Sequence, residues 1–351
     1  MTGGAGFVGA ALAIAVRRAY PEATVIAFDN LRRRGSEMNL PRLREAGVRF
    51  VHGDVRSLED LTAIRPEPDL ILECSAEPSV LAGYGESPEY LIHTNLTGCF
   101  HCLEVARRTK ADFLFVSTSR VYPVALVNSL ECAETDTRFT LRAEQNMVGA
   151  SQHGISEKFA LEGARSLYGM TKLAAELMVA EYGDAYGIRF VIDRCGLLTG
   201  PWQMAKSDQG VIALWVAAHY FERSLKYIGF GGSGKQVRDF LHIDDFCDLV
   251  LDQIANLKAY AGRSWNVGGG TANSISLREA TTLSREVTGK TIEVTPTNEN
   301  RPSDLKLYIT DHRAVSAVRG WRPKRDAKRT FTDIAEWMGA QGPELRAVLF
   351  G

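Results

Sequence analysis

The chain has 351 residues, 45% hydrophobic and 24% charged, with a net charge of −1. That length is enough to bury a full core in one large domain or two interleaved ones, and the charge balance leaves no basic surplus for nucleic acid or an anionic membrane. Any anionic ligand must therefore be met by locally placed arginines, and no apolar run reaches the roughly 20 residues of a membrane span. Met1-Thr2-Gly3-Gly4 lacks the basic start of a signal peptide. The six cysteines, Cys74, Cys99, Cys102, Cys132, Cys195 and Cys247, fall in apolar or helical stretches. Cys99-Phe100-His101-Cys102 has no second ligand pair, so these thiols read as small buried groups, with no metal site. A reduced, cytoplasmic protein is expected.

In chain order, Thr2-Gly3-Gly4-Ala5-Gly6-Phe7-Val8-Gly9 predicts a glycine turn opening a helix that runs through Arg18. Such glycines permit the tight turn, the approach of backbone to a pyrophosphate and close packing of helix on strand. The next strand ends at Asp29, twenty residues after Gly9. A carboxylate there suits the adenosine ribose hydroxyls and repels a 2'-phosphate, which points to NAD. Arg32-Arg33-Arg34 could instead hold such a phosphate, but reads better as solvated or stacked on adenine. A Rossmann unit needs a strand of about five residues before its glycine turn, and here only Met1 precedes Thr2. The expectation is that the true start lies upstream; a chain without that strand should leave a gap in its sheet and bind cofactor poorly.

Arg49 to Val55 reads as the next strand, delivering Asp54 toward the adenine amino group, and Leu70 to Ala76 as another, ending in small residues. Asn95 is expected to begin a helix over Leu96 to Arg107. Phe113 to Val116 forms a strand that brings Ser117-Thr118-Ser119 to its carboxyl end, where open α/β sheets bind ligands. Strand and helix alternation implies an α/β, Rossmann-type, doubly wound parallel sheet. The stretch from Pro123 to Arg165 reads as polar and irregular, more a binding loop or lid than a linker.

Ser166-Leu167-Tyr168-Gly169-Met170-Thr171-Lys172 is the centre of the chemistry. On a helix, Tyr168 and Lys172 lie on one face, one turn apart. A free tyrosine ionises near ~10, and a neighbouring ammonium, helped by an oxidised nicotinamide, favours the phenolate. Beyond it come a strand at Phe190 to Cys195, glycine-rich turns, a helix from Leu277 to Thr288 and Arg301-Pro302-Ser303-Asp304. Residues 1–195 are read as the dinucleotide-binding domain and 196–351 as a smaller, interleaved substrate domain.

The glycine turn, Asp29, Asp54, the hydroxyl cluster before Val121-Tyr122, Tyr168 with Lys172, and Arg238-Asp239 stand in the order of the extended short-chain dehydrogenase/reductase family. The chain resembles that family, the nucleotide-sugar epimerases and dehydratases, over nearly its whole length. The resemblance implies NAD as cofactor and a catalytic set of Thr118, Tyr168 and Lys172, with Ser117 and Ser119 as geometric substitutes for Thr118. It implies a cofactor site of Gly3, Gly6, Phe7, Val8, Asp29, Asn30, Asp54, Val55, Ser75, Ala76, Asn95, Ser117 and Cys195 beside Tyr168 and Lys172. It also implies a substrate site of Thr118, Ser119, Gln209, Gln236, Arg238 and Arg301, the arginines suiting a sugar diphosphate.

Ser119-Arg120 stands where sugar 4,6-dehydratases carry an Asp-Glu pair, so water elimination is not expected. Cys195-Gly196-Leu197 replaces the Tyr-Phe-Asn common in 4-epimerases. Asp208-Gln209-Gly210, Gly234 to Asp239 and Asn273 to Leu277 look like the CDP-paratose 2-epimerase branch, which implies a CDP-sugar substrate and epimerisation at C2. The alternatives are a UDP-sugar 4-epimerase, another nucleotide-sugar oxidoreductase, or a non-catalytic NAD-binding regulator, against which an intact Thr118, Tyr168 and Lys172 argues. The resemblance also implies a homodimer or tetramer paired through the helices near Leu96 to Arg107 and Tyr168 to Tyr182.

Overall fold

The computed structural model describes residues 1–206 and 209–350. The chain divides into two compact units: Met1–Thr118, Leu167–Arg194 and Phe246–Trp265 form one, and Ser119–Ser166, Cys195–Asp245 and Asn266–Gly351 the other. The two units interleave along the sequence, the chain passing between them after residues 118, 166, 194, 245 and 265.

The first unit is a doubly wound sheet. Strand Ile26–Asp29 pairs in parallel with Arg49–His52, and Leu70–Glu73 pairs in parallel with Asp112–Thr118, which continues to Phe190–Cys195 and Arg263–Val267. The gap expected in the middle is occupied. Thr2 forms parallel bridges to both Phe28 and Glu73, with its N–H donating to the Leu72 carbonyl at 3.1 Å, while the Phe28 N–H donates to the Met1 carbonyl at 2.8 Å.

Each face of this sheet carries its own apolar cluster. Phe28, Ile71, Phe113, Phe115 and Ile192 pack with Cys99, Cys102 and Leu103 of helix Gly98–Thr109 and Ala175 and Val179 of helix Leu167–Tyr186. On the other side Val25 and Ala27 pack with Ala10, Ala13 and Ile14 of helix Phe7–Ala19 and with Leu251 and Ile254. Neighbours Ala27 and Phe28 enter opposite clusters, as strand alternation requires. The cysteines are free thiols, and Cys99 and Cys102 are core residues. No helix among the described residues is long and apolar enough to cross a membrane.

Two expectations are corrected. Asn95 does not begin a helix: helical structure starts at Glu89, behind Ser87-Pro88, and runs through a π turn at His93–Thr97 into Gly98–Thr109. The extra residue in a π turn re-aims side chains and recurs at functional sites. Nor is the segment from Pro123 to Arg165 irregular. It holds helix Val124–Asn128 and two hairpins, Cys132–Glu134 with Phe139–Leu141 and Ala150–Ser151 with Gly154–Ile155. Cys132, Phe139 and Leu141 pack on Val237, Leu307 and Ile309 of the second unit, so burial overrides the polar composition. Gly154 sits at φ 112°, where a Cβ would lie 2.3 Å from the Ile309 carbonyl oxygen. In that unit Val237–His242 pairs in parallel with Leu197–Thr199 and Leu307–Tyr308 and antiparallel with Ser274–Ser276.

Candidate active site

The glycine turn is built by close approach. Gly3 has φ +59°, and a Cβ there would meet the Cys74 carbonyl oxygen at 2.8 Å; one on Gly9 would meet the Gly3 carbonyl oxygen at 2.1 Å. Gly6 differs: its Cβ would touch only that same oxygen, at 3.1 Å, with open space beyond. Helix Phe7–Ala19 starts there without a side-chain cap or an acidic residue in its first turn. Open space, the amides of Phe7 and Val8, and the positive end of the helix dipole fit a dinucleotide pyrophosphate.

At the adenosine end the carboxylates do more than the sequence assigned them. Asp29 Oδ2 accepts the Ala5 N–H at 3.1 Å and Oδ1 the Leu31 N–H at 2.8 Å, so Asp29 also pins the glycine turn; burial pushes its carboxyl up despite these donors. Burial likewise pushes Asp54 up, but the fork of Arg56 at 2.8 and 3.0 Å and the Asn30 amide at 2.8 Å outweigh it and hold the group at about 2. Arg32 and Arg56 lie over the Tyr90 ring, 3.9 and 4.9 Å from its centroid. Arg56 and Tyr90 escaped the sequence reading, although Arg56 stands only two residues beyond Asp54.

Val55 is buried, its carbonyl in contact with His101 Nδ1 at 2.9 Å. Ser75 is buried with its hydroxyl on Glu73, and Ala76 is half-buried. The Asn95 carbonyl accepts the Glu77 N–H at 2.7 Å, and its amide donates to the Glu77 carbonyl and to Thr171 Oγ1, both at 3.1 Å. Thr171 in turn donates to the Tyr168 carbonyl at 2.8 Å. The π turn therefore reaches the first turn of the helix that carries Tyr168.

Strand alternation separates the three hydroxyls. Ser117 donates to Glu176 Oε1 at 2.5 Å, and Glu176 is forked by Arg194 at 2.7 and 2.9 Å, all three residues buried. Thr118, the next residue, points to the other side of its strand, and Ser119 opens a 3-10 turn in the second unit. Helix Leu167–Tyr186 carries a half-buried Tyr168 and, one turn on, a buried Lys172. The Lys172 ammonium lies over the Phe115 ring at 4.0 Å and 3.8 Å from Glu73 Oε2.

The second unit places the other predicted residues by itself. Arg238 is drawn to Asp304 at 2.9 Å and to the Val237 carbonyl at 2.8 Å, and burial pushes its guanidinium down. The Gln236 amide donates to the Ile228 carbonyl at 2.8 Å, while its Oε1 is buried and unpartnered among the described residues. Gln209 exchanges backbone hydrogen bonds with Lys206, and Asp208 of the same motif lies outside the described residues. Arg301 is half-buried and its carbonyl accepts the Asp304 N–H. Cys195 is buried at the end of its strand. Arg120, where a dehydratase would need a carboxylate, donates to the Ser303 carbonyl at 2.9 Å.

A doubly wound sheet with an open glycine turn, a hydroxyl at a strand end and a Tyr-x-x-x-Lys helix packed on that strand is the architecture of a dinucleotide-dependent enzyme. The chain belongs to the NAD-dependent epimerase/dehydratase family, whose sequence profile matches residues 1–268. It is 30% identical over 347 residues to CDP-paratose 2-epimerase of Salmonella typhi, covering 96% of this chain and 98% of that protein. It is 25% identical over 347 residues to dTDP-glucose 4,6-dehydratase of Mycolicibacterium smegmatis, with 97% and 92% covered. Among solved structures, UDP-glucose 4-epimerase of Thermus thermophilus in complex with NAD matches with a TM-score of 0.78 at 26% identity, over 97% of this chain and 98% of that one.

Proposed function

We propose that this protein inverts one carbon of a nucleotide sugar by transient oxidation, and that its substrate is a CDP-linked deoxysugar, CDP-paratose converted to CDP-tyvelose at C2. The observation that carries this reading is the pairing of Tyr168 and Lys172 with a strand end, Thr118-Ser119-Arg120, that lacks a carboxylate for elimination. The full-length similarity to a CDP-paratose 2-epimerase supports the choice of substrate.

NAD, when bound, supplies reversible two-electron oxidation at the sugar carbon. Tyr168 takes the proton of the sugar hydroxyl and later returns it, so no net proton is consumed. Thr118 hydrogen-bonds that same oxygen and fixes which hydroxyl meets the phenolate. Lys172 stabilises the phenolate and would hold the nicotinamide ribose of bound NAD, while Asn95 fixes the helix turn that carries Tyr168 through Thr171. The first unit serves as the NAD domain and the second as the nucleotide-sugar domain, where Ser119, Gln209, Gln236, Arg238 and Arg301 orient the substrate. Arg238 reaches a diphosphate by exchanging its bond to Asp304.

The test is incubation of purified protein with CDP-paratose, followed by chromatography and absorbance of reduced nicotinamide. CDP-tyvelose formed without added NAD and without accumulating NADH is the expected result. Turnover of UDP-glucose alone would replace this reading with a UDP-sugar 4-epimerase, and bound NAD with no turnover of either sugar would favour a regulator. The same preparation should be a dimer or tetramer by light scattering, since Phe100, Leu177 and Tyr186 on the helices of the first unit are 40, 63 and 56% exposed; a monomer at micromolar concentration would remove the oligomer.

A further inference from the structure

Glu73 ends the strand Leu70–Glu73 and is 1% exposed, a position where a carboxylate is costly unless it is partnered. Its two oxygens have different partners. Oε1 takes the Ser75 hydroxyl, the Ser75 N–H at 3.1 Å and the Thr2 hydroxyl at 3.4 Å, whereas Oε2 faces the Lys172 ammonium at 3.8 Å. The carboxylate therefore ties the residue before the glycine turn, the loop after its own strand and the helix of Tyr168 to one point. Lys172 is 2% exposed and has the Phe115 ring on another side.

We propose that Glu73 is a positioning residue acting through Lys172: it holds the ammonium against the strand end and draws part of its charge away from Tyr168. The proposal rests on Tyr168 being the proton acceptor of the reaction. With oxidised NAD in place, the cations are the nicotinamide and Lys172, and the anions competing for them are the Tyr168 phenolate and Glu73. Glu176, one turn beyond Lys172 on the same helix, is paired with Arg194 and Ser117, and that pair is the same in parent and variant. Burial pushes Cys74 up to about 12 and raises Cys99 and Cys102 well above the ordinary thiol range, so these thiols stay neutral, while burial pushes Asp193 up to about 7, so that it ionises within the titration in parent and variant alike. Burial pushes Glu73 itself up, and Lys172 with the Ser75 and Thr2 donors opposes that.

Glu73→Gln removes the charge while keeping the volume and an acceptor for Ser75 and Thr2. In the NAD-loaded protein, the titration of Tyr168, read as tyrosinate absorbance lost in Tyr168→Phe, should move to lower pH by roughly one unit. The acidic limb of the turnover profile should move with it, at unchanged NAD content. A midpoint that stays in place or rises overturns the proposal. If no sugar is turned over yet the midpoint falls, the function proposed above fails and the role of Glu73 stands. Should the Gln variant not load cofactor, Glu73→Asp, which withdraws the charge by one methylene, is expected to shift the midpoint in the same direction by less; no shift again overturns it.

Discussion

Asp193 offers a quantitative test of how the sheet is buried. It lies within the strand Phe190–Cys195, 2% exposed, and accepts the Gln253 amide at 2.8 Å. Burial pushes its carboxyl from 3.8 up to about 7, with the Gln253 bond only partly opposing. Because the folded state holds this proton more tightly than the unfolded chain, stability falls as pH rises from 3.8 to about 7 and levels above it. At 1.36 kcal/mol per unit, the three-unit shift corresponds to about 4 kcal/mol of lost stability on the alkaline side. Asp193→Asn carries no proton to lose, keeps an acceptor for Gln253, and offers an N–H to Gln253 Oε1, which is buried and unpartnered among the described residues. Urea unfolding should show the variant more stable than the parent at pH 8 by an amount approaching about 4 kcal/mol, with the gap closing toward pH 4. A gap that is the same at both pH values, or a less stable variant at pH 8, would refute the claim that a buried charge is the cause.

Three further outcomes follow from the site. Tyr168→Phe should lower turnover by about 100-fold to 10,000-fold while leaving bound NAD unchanged, measured as product formed and cofactor released on denaturation. Glu176→Ala removes the buried carboxylate that the Arg194 guanidinium and the Ser117 hydroxyl share, so urea unfolding should show a loss of about 3–5 kcal/mol; replacing Glu176 and Arg194 together by Met should cost less than the single change. Gly9→Ala places a Cβ 2.1 Å from the Gly3 carbonyl oxygen, and the purified variant should retain its fold by circular dichroism yet carry little NAD.

What the sequence made legible was what depends on local spacing. The Leu277–Thr288 helix announces both ends, with Ser276 and Glu279 forming a capping box and Gly289 closing it in the left-handed region. Tyr168 and Lys172 needed only the helical repeat. The partners found by distant segments were not legible. Nothing in Leu70-Ile71-Leu72-Glu73 says that its last side chain turns inward, because the ammonium it meets lies about a hundred residues on. The π turn around Asn95 is equally silent, since its cause is a set of bonds to Glu77 and Thr171. The place of Thr2 was not legible either, since its bridges to Phe28 and Glu73 come from strands far along the chain.

The chain passes between its two units after residues 118, 166, 194, 245 and 265. Neither unit is a contiguous stretch of sequence, so neither can be cut out as a fragment or exchanged with a relative as a single cassette. If the second unit holds the nucleotide sugar as proposed, transplanting its preference means grafting three separate segments at once, with two of the joins falling directly beside Thr118 and Leu167-Tyr168.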